Sequence, residues 1–469
     1  MRVVLAAFFR EIDVVGADQV PGDRGGVMVS WHPNALVDPA LIIARSPFPV
    51  VFGARHGLLH VPILGNLLRA LGTVPIYRAS DTRGLDVERR REGNQRSLDA
   101  LAARVAAGEY SALFPEGLSH DEPHPVELKT GLARLYYRAR ALQANDAPPP
   151  VIVPVGLHYD QKRSFRSSAL VWFHPPLELS PELNVRPEPG EPIETARKRW
   201  RGLTDEIERV LRDVVHATDD WTTHRILHRG RKLVRAEDAR REGRDPGRPD
   251  VAEKTEGFAQ IRAAYYEQLE RNPDRVARIR SRVERYDADL RAVGLDDHDL
   301  DLIPRLFTWR RLRLALQAAT VFLLVPAILI PGLVVNIPAT LLVIGVAKLG
   351  SGRLRKDEAS LKILAGMVCF PLAWIAAGVV GAMAHVQLGR AFPTMAGAPV
   401  LTGIAVALSA GLGGVAAVRY AQIMRETARA VQVRITRSRT KRTLARLRRE
   451  RSRIYDEMMS LLDDAAPSA

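Results

Sequence analysis

Cysteine is almost absent from this chain. Among its 469 residues only Cys369 is a cysteine, so no disulfide can form within one chain, which favours a reducing compartment. The first residues, MRVVLAAFFREIDVV, carry a short apolar run interrupted by Arg10, Glu11 and Asp13. We therefore do not expect them to form a signal peptide.

Aromatic residues are also few, at 6% of the chain, although the net charge is +15. The chain has neither zinc-finger spacing nor the aromatic-basic pattern of RNA-binding proteins. Its basic residues cluster beside apolar segments, which is the placement that an anionic membrane surface favours. The composition therefore predicts membrane lipids, and no nucleic acid, as partners.

Charge is scarce between residues 312 and 418, where the chain is mostly apolar. Four runs in this region approach the length of about 20 apolar residues that a membrane span needs, which argues against globular core helices. They are residues 314–330, 333–349, 361–384 and 399–418. The first two are short and separated by Pro331-Gly332, which predicts either two spans or a hairpin that enters and returns.

The basic residues around these runs indicate an orientation. Arginine and lysine are frequent before the first run, in residues 350–362 and after the fourth run, whereas only Arg390 lies between the third and fourth. The positive-inside rule then places 350–362 and both large flanks on the cytoplasmic side. That arrangement requires an even number of passes and predicts a multi-pass membrane protein with a cytoplasmic N-terminal domain and C-terminus.

The first 215 residues alternate apolar runs rich in Val, Ile and aromatics with amphipathic stretches. The runs predict six strands, at residues 27–31, 48–52, 73–77, 110–114, 150–159 and 169–173. Apolar positions three and four apart predict helices at 90–108 and 128–142. We expect an α/β domain over 1–215, with a central mixed sheet flanked by helices.

The remaining parts of the chain are highly charged. Residues 216–311 are predicted to form a helical linker or arm, with 255–294 as a solvated helix. Residues 312–418 follow as the transmembrane region, and 419–469 as a basic cytoplasmic C-terminal helix. Residues 421–454 carry twelve Lys or Arg. Such a helix either lies on anionic lipid or is solvated or self-associating, and the sequence leaves both open.

One short stretch, SWHPNALVDP, carries chemistry of its own. A strand ends at His32, a turn follows, and a helix is predicted to start at Asp38-Pro39. Aspartate is a favoured N-cap and proline a favoured first helical residue, so Asp38 could act only as a cap. The alternative is a dyad, in which the carboxylate orients the imidazole and leaves its other nitrogen to accept a proton.

Two later strand ends add further candidates. GTVPIYR ends in Arg78, whose guanidinium suits phosphate binding, and FPEG brings Glu116 and Gly117. Each motif alone could be an ordinary surface cation or turn. Their order, followed by IVPVG at 152–156, points to one site gathered at successive strand ends.

The four blocks HPNALVD, GTVPIYR, FPEG and IVPVG resemble those of the glycerolipid acyltransferases, the family with an H-x4-D motif. The resemblance covers roughly residues 8–180 and is closest to the glycerol-3-phosphate/dihydroxyacetone-phosphate 1-acyltransferase branch. It implies that His32 is the general base, that Asp38 orients it and that Arg78 binds the acceptor's phosphate. Glu116 and Gly117 would shape the acceptor site.

This sequence departs from the family pattern in two places. Five residues, not four, separate His32 from Asp38, so the turn must bulge. FPEG is followed by Leu-Ser-His, so an expected phosphate-binding arginine is missing. The residues that could replace it are His120, Lys129, Lys162, Arg163 and Arg166. Lys129 and Arg166 are our candidates for substrate binding.

The resemblance implies an enzyme of phospholipid synthesis, a membrane-bound acyltransferase. It would move a fatty acyl group from acyl-CoA or acyl carrier protein, as co-substrate, to glycerol 3-phosphate or dihydroxyacetone phosphate. No metal or other cofactor is expected. Two alternatives stay open: lysophosphatidate as the acceptor, and a catalytically inactive membrane scaffold.

Overall fold

The structure is a computed structural model that describes residues 2–60, 64–70, 72–77, 87–244, 249–301, 308–350, 358–392 and 397–463. The chain divides into two compact units. The first comprises Met1–His224 and Pro249–Ala259, and the second comprises Arg225–Arg248 and Gln260–Ala469.

A seven-stranded mixed sheet forms the centre of the first unit, in the order β1-β7-β6-β2-β5-β3-β4. Its strands are β1 (Phe9–Val15), β2 (Gly26–Val29), β3 (Val50–Arg55), β4 (Val74–Ile76), β5 (Tyr110–Leu113), β6 (Val151–Tyr159) and β7 (Ser167–Phe173). All neighbouring pairs are parallel except β6 and β7. The predicted α/β domain with a mixed sheet is thus confirmed, and the six predicted strands are all present.

Helices flank this sheet. They are α1 (Arg2–Phe8), α2 (Val37–Arg45), α3 (Leu64–Ala70), α4 (Val87–Ala106), α5 (Gly131–Leu142) and α6 (Ile193–Val214). Both predicted amphipathic helices are confirmed as α4 and α5. Their apolar sides join the strands in one core cluster, with Leu101 on α4, Tyr136 on α5 and Leu203 on α6 packed against Val27 and Val29 of β2.

The carboxyl ends of the central strands lie together. Val29 of β2 is in register with Leu113 of β5 on one side and with Pro154 of β6 on the other. Chain segments that leave β2 and β5 therefore emerge at the same edge of the sheet. This edge holds His32, Asp38 and Glu116, three of the residues that the sequence singled out.

The second unit is helical. It contains parts of α7 (Trp221–Arg241) and α8 (Val251–Arg271), followed by α9 (Pro273–Ala292), α10 (Asp297–Asp301) and, at the end of the chain, α15 (Lys441–Asp463). The sequence predicted a solvated helix over 255–294, but α9 buries Val276, Val283 and Tyr286 in a cluster with Leu447 and Ile454 of α15. The basic C-terminal helix thus packs on the arm. Its apolar side was not predicted, because charged residues interrupt its apolar pattern.

A buried ionic network joins α15 to the arm. Arg451 is fully buried and donates to Glu237 Oε2 at 3.0 Å and to the carbonyl of Asp297 at 2.9 Å. It also bonds Asp301. Because a buried guanidinium needs partners for its charge and its donors, these contacts fix the position of α15.

Apolar helices follow the arm: α11 (Thr308–Ala319), a π-helical turn (Thr320–Leu324), α12 (Val325–Gly350), α13 (Glu358–Ala391) and α14 (Pro399–Arg439). Within the described residues, three helices are long and apolar enough to cross a membrane, at Gly332–Gly350, Glu358–Ala391 and Pro399–Thr436. They cover the second, third and fourth predicted segments. The first predicted segment, 314–330, is also helical.

Helices α13 and α14 run antiparallel. His385 Nδ1 lies 2.8 Å from Thr402 Oγ1, and a Cβ added at Gly411 would lie 3.6 Å from the ring of Trp374. The two helices advance by the same rise per residue in opposite directions. Counting from these contacts towards the start of α13 therefore places Leu361 at about the level of residues 424–427 of α14.

The helical stretch before α13 reverses direction. Gln317 Nε2 donates to Thr427 Oγ1 at 3.0 Å, whereas Gly350 lies against Leu361, at the same level of the bundle. A straight helix would separate residues 317 and 350 by about 50 Å. The chain therefore turns back, near Gly332, where a Cβ would approach Gly413 Cα to 2.9 Å. The two limbs form a hairpin whose ends lie at one level of the bundle, as both arrangements predicted from Pro331-Gly332 require.

Candidate active site

The imidazole of His32 and the carboxylate of Asp38 are hydrogen-bonded. His32 Nδ1 lies 2.9 Å from Asp38 Oδ2, and the aspartate is fully buried. The predicted N-cap role is wrong, because α2 begins at Val37 with Leu36 as its N-cap, so Asp38 already lies in the first helical turn. The dyad interpretation is the one that the geometry supports.

The extra residue between His32 and Asp38 is accommodated by a bulge. Ala35 adopts a left-handed conformation with φ of 40°, which is uncommon for a residue with a side chain. This turn directs the backbone N–H of Asn34 to Asp38 Oδ2 at 2.7 Å. The imidazole and the carboxylate therefore meet although five residues separate them. The bulge that the sequence analysis expected is present.

Tyr159 completes the environment of Asp38 and was missed by the sequence analysis. It ends β6 and donates its hydroxyl to Asp38 Oδ1. Burial, followed by the negative charge of Asp38, raises the pKa of Tyr159 well above its ordinary value, so the phenol stays protonated. The carboxylate is thus held by an imidazole, a backbone amide and a phenol.

These contacts define the chemistry open to His32. Because Nδ1 donates its hydrogen to the carboxylate, Nε2 is the nitrogen that can accept a proton. The ring stacks on Phe114, with centroids 4.1 Å apart and planes 11° apart, and its side chain keeps 13% exposure. The imidazole is therefore oriented on both sides yet accessible to a substrate.

Glu116 fastens the loop after β5 to the turn that carries His32. Its Oε2 accepts the backbone N–H of His32 at 2.8 Å, and its Oε1 accepts from Val126 N at 3.1 Å and from His120 Nε2 at 2.6 Å. The carboxylate has no exposed side-chain surface. Glu116 therefore shapes the site by holding the backbone of His32.

His120 belongs to the same framework. Its backbone N–H donates to the carbonyl of His32 at 3.2 Å, and its Nδ1 accepts from the backbone N–H of Glu122 at 3.2 Å. The remaining nitrogen, Nε2, donates to Glu116. Both polar groups of the imidazole are thus committed, which leaves His120 a poor replacement for the missing arginine.

Gly117 and Lys129 lie side by side. Gly117 has a φ of +69°, and a Cβ added there would lie 3.3 Å from Lys129 Nζ, so the glycine leaves room for the ammonium group. Lys129 is exposed, and its backbone N–H donates to the carbonyl of Pro115 at 2.9 Å. The structure thus places this lysine beside the Pro-Glu-Gly turn.

The two arginine candidates differ. Arg166 directs its guanidinium to the carbonyls of Ala6 and Phe9, at 3.2 and 3.3 Å, where α1 meets β1. These bonds occupy it at the edge of the sheet, away from the hydrogen bonds of the His32 pair. Arg78 lies outside the described residues, just beyond β4, so its role stays a prediction.

Two other cations lie next to the turn between His32 and Asp38. Lys162 Nζ donates to the carbonyl of Pro33 at 3.2 Å, and the Lys162 carbonyl accepts from Asn34 Nδ2 at 3.1 Å. Lys162 and Arg163 both form ion pairs with Asp121. The loop between β6 and β7 is thereby attached to the residues that immediately follow His32.

A mixed sheet with a His-Asp pair at the carboxyl ends of its strands, the carboxylate of which is buried, fits the acyltransferase domain that the resemblance implies. Residues 11–158 match the family model described as Acyltransferase, and residues 257–469 match the one described as Glycerol-3-phosphate acyltransferase 2 C-terminal domain. Residues 11–158 therefore match an acyltransferase domain, and the resemblance seen in the sequence is confirmed.

Curated relatives support the glycerol-3-phosphate branch. Glycerol-3-phosphate O-acyltransferase 1 of Saccharomyces cerevisiae is 30% identical over 189 residues, which is 40% of this chain and 23% of that protein. An uncharacterized acyltransferase of Schizosaccharomyces pombe is 23% identical over 389 residues, 64% of this chain and 54% of that one. The chain thus spans between a quarter and about half of these relatives' length.

A solved structure was also found. The 1-acyl-sn-glycerophosphate (LPA) acyltransferase PlsC of Thermotoga maritima is 17% identical, over 45% of this chain and 75% of that one. The TM-score is 0.29, which is too low to support a conclusion about the acceptor.

Proposed function

We propose that this protein is a membrane-bound acyltransferase of phospholipid synthesis. It transfers a fatty acyl group from acyl-CoA or acyl carrier protein to the hydroxyl of glycerol 3-phosphate or dihydroxyacetone phosphate. The observation that carries this proposal is the His32–Asp38 hydrogen bond of 2.9 Å, on a buried carboxylate at the carboxyl edge of the sheet. The yeast relative's name supports the choice of acceptor.

In the proposed reaction His32 Nε2 takes the proton of the acceptor hydroxyl as its oxygen attacks the thioester carbonyl. A C–O bond forms, the C–S bond breaks, and the imidazolium returns the proton to the leaving thiolate. Asp38 stabilises the imidazolium, and general base catalysis of this kind contributes about 10²–10⁴-fold. The thioester is already activated, so positioning the two substrates beside one base supplies most of the remainder.

The membrane location is part of the proposal. Three apolar helices of the described chain could hold the protein in a bilayer, and the cations around them favour cytoplasmic placement of the catalytic domain and the C-terminus. The acylated product is amphipathic and would leave into the same membrane. No metal or further cofactor takes part in the proposed reaction.

The test offers a labelled acyl donor, as acyl-CoA and as acyl carrier protein, to the purified full-length protein in lipid vesicles. Glycerol 3-phosphate, dihydroxyacetone phosphate and lysophosphatidate are supplied separately. We expect incorporation with the first or second acceptor. Incorporation with lysophosphatidate alone would reassign the acceptor, and no incorporation with any of them would favour an inactive membrane scaffold.

A further inference from the structure

Asp121 forms ion pairs with two cations beside the turn between His32 and Asp38. Its carboxylate pairs with the ammonium of Lys162 and the guanidinium of Arg163, the first two basic residues of the loop between β6 and β7. The two side chains are partly accessible, with 19% and 34% exposure. Both cations are therefore accessible to a solute from solvent.

The position of this cluster is fixed from two sides. Lys162 Nζ donates to the carbonyl of Pro33, the residue after His32, at 3.2 Å. Asp121 is anchored through its own carbonyl, which accepts from Trp221 Nε1 at 2.8 Å. The cations therefore occupy a defined place next to the proposed general base.

The chemistry of the cluster is that of a phosphate site. Asp121 presents two anionic oxygens to one lysine and one arginine, as the oxygens of a phosphate monoester would. A phosphate carries more negative charge than one carboxylate and offers three oxygens, so the two cations attract it more strongly. The arginine expected after FPEG is missing, and His120 is committed to Glu116.

We propose that Lys162 and Arg163 bind the phosphate of a small phosphomonoester acceptor, and that Asp121 occupies this site until the acceptor displaces it. The inference rests on the proposed function, because it assigns a subsite for that reaction. Lys162 and Arg163 would then set the distance between the acceptor's phosphate and the hydroxyl that His32 deprotonates.

Opposite effects of two substitutions test the site. Lys162→Gln removes a charge-assisted hydrogen bond and should raise the KM for glycerol 3-phosphate by about tenfold to a hundredfold. Asp121→Asn removes the competing anion and should lower that KM by up to about fivefold, the range expected for a partly exposed ion pair. A rise of KM in both variants would show that the ion pair only fastens the loop, and would overturn the proposal.

The chain offers a matched control. Lys254 and Asp160 form an ion pair of 3.0 Å in the same unit, with 23% and 39% exposure. Lys254→Gln and Asp160→Asn should leave the KM for glycerol 3-phosphate within about twofold of the wild type, as most exposed pairs contribute little. Equal effects at the two pairs would contradict a specific phosphate site.

A binding measurement separates this inference from the proposed reaction. Inorganic phosphate and glycerol 3-phosphate are titrated calorimetrically into His32→Ala protein, with and without Lys162→Gln. Binding that is lost with Lys162→Gln supports the site even if the wild type transfers no acyl group. Binding that is unchanged by Lys162→Gln and Arg163→Gln overturns it.

Discussion

At the scale of single residues, His32 depends on groups that are far away in the sequence. Asp38 lies six positions on and Glu116 84 positions on, and Tyr159 reaches the carboxylate from the end of β6. The first two are apparent in the sequence because they belong to recognisable motifs. Tyr159 is not, because its role follows from strand order, which places β6 beside β2 and lets the last residues of β6 extend past the end of β2.

Tyr159→Phe tests the third of these groups. We expect kcat to fall by roughly tenfold, since a hydrogen bond to a charged group contributes about 1.5–3 kcal/mol and only part of it is lost in the transition state. The initial rate of acyl transfer to glycerol 3-phosphate measures this loss.

The control for this variant is Tyr137→Phe. Tyr137 is also buried and donates its hydroxyl to the carbonyl of Leu183 at 2.8 Å, on α5 and away from the pair. It should leave kcat unchanged. An equal fall of kcat in the two variants would mean that the hydrogen bond of Tyr159 to Asp38 has no specific role in the reaction.

At the scale of elements, the spacing of apolar and charged residues determined which strands and helices could be predicted from the sequence. The strands with continuous apolar runs were all found, whereas β1 was missed because Arg10, Glu11 and Asp13 interrupt it, as suits a strand at the edge of the sheet. The buried side of α9 was not predicted, because charged residues interrupt its apolar pattern. Pro331-Gly332 indicated the reversal near Gly332 but not whether the two limbs cross a membrane, because a turn does not fix its own depth.

Histidines packed around β6, β7 and α7 should make the first unit sensitive to acid. Burial, followed by the charge of His216, lowers the pKa of His174 to about 4, and burial lowers that of His224 to about 4. Both are below the value of about 6.5 expected in the unfolded chain, which therefore binds more protons between pH 6.5 and 4. Stability should fall as the pH drops through this window.

The size of this effect is at most roughly 3 kcal/mol for each histidine. Thermal unfolding of the full-length protein in detergent, measured from pH 7 to pH 4, should show the loss, and His174→Gln should reduce it. A midpoint that stays constant over this range would contradict the burial of these imidazoles.

The hairpin predicts which ends of the apolar helices share a side of the membrane. We expect cysteines at Leu349 and Lys441, introduced one at a time into a Cys369→Ala protein, to react with an impermeant thiol reagent from the same side of sealed vesicles. A cysteine at Phe392, the far end of α13, should react only from the other side. If position 349 reacted together with 392 and not with 441, the first two segments would form one span.

At the scale of the whole molecule, the C-terminal helix is part of the second unit and not an appended tail. Arg451 bridges α15 to α7 and to residues 297–301, and removing it leaves Glu237 buried without that partner. The loss of one partner from a buried pair costs about 3–5 kcal/mol. Arg451→Ala should therefore reduce the protection of α15 amides from hydrogen exchange by at least about a hundredfold.

Arg446→Ala serves as the matched control on the same helix. Its ion pair with Asp289, at 2.8 Å, is exposed, with 62% of the arginine side chain accessible. Such a pair contributes about 0–1 kcal/mol, so protection of α15 should change little. Equal loss of protection in the two variants would show that the buried network does not hold the helix.

The central claim concerns His32, and one assay tests it directly. The initial rate of acyl transfer to glycerol 3-phosphate is measured for the wild type, for His32→Ala and for His60→Ala, an exposed histidine of the same domain whose Nε2 lies 3.4 Å from His56 Nε2. We predict that His32→Ala loses about 10²–10⁴-fold in kcat while His60→Ala keeps the wild-type rate. Equal rates for the wild type and His32→Ala would contradict the proposed mechanism.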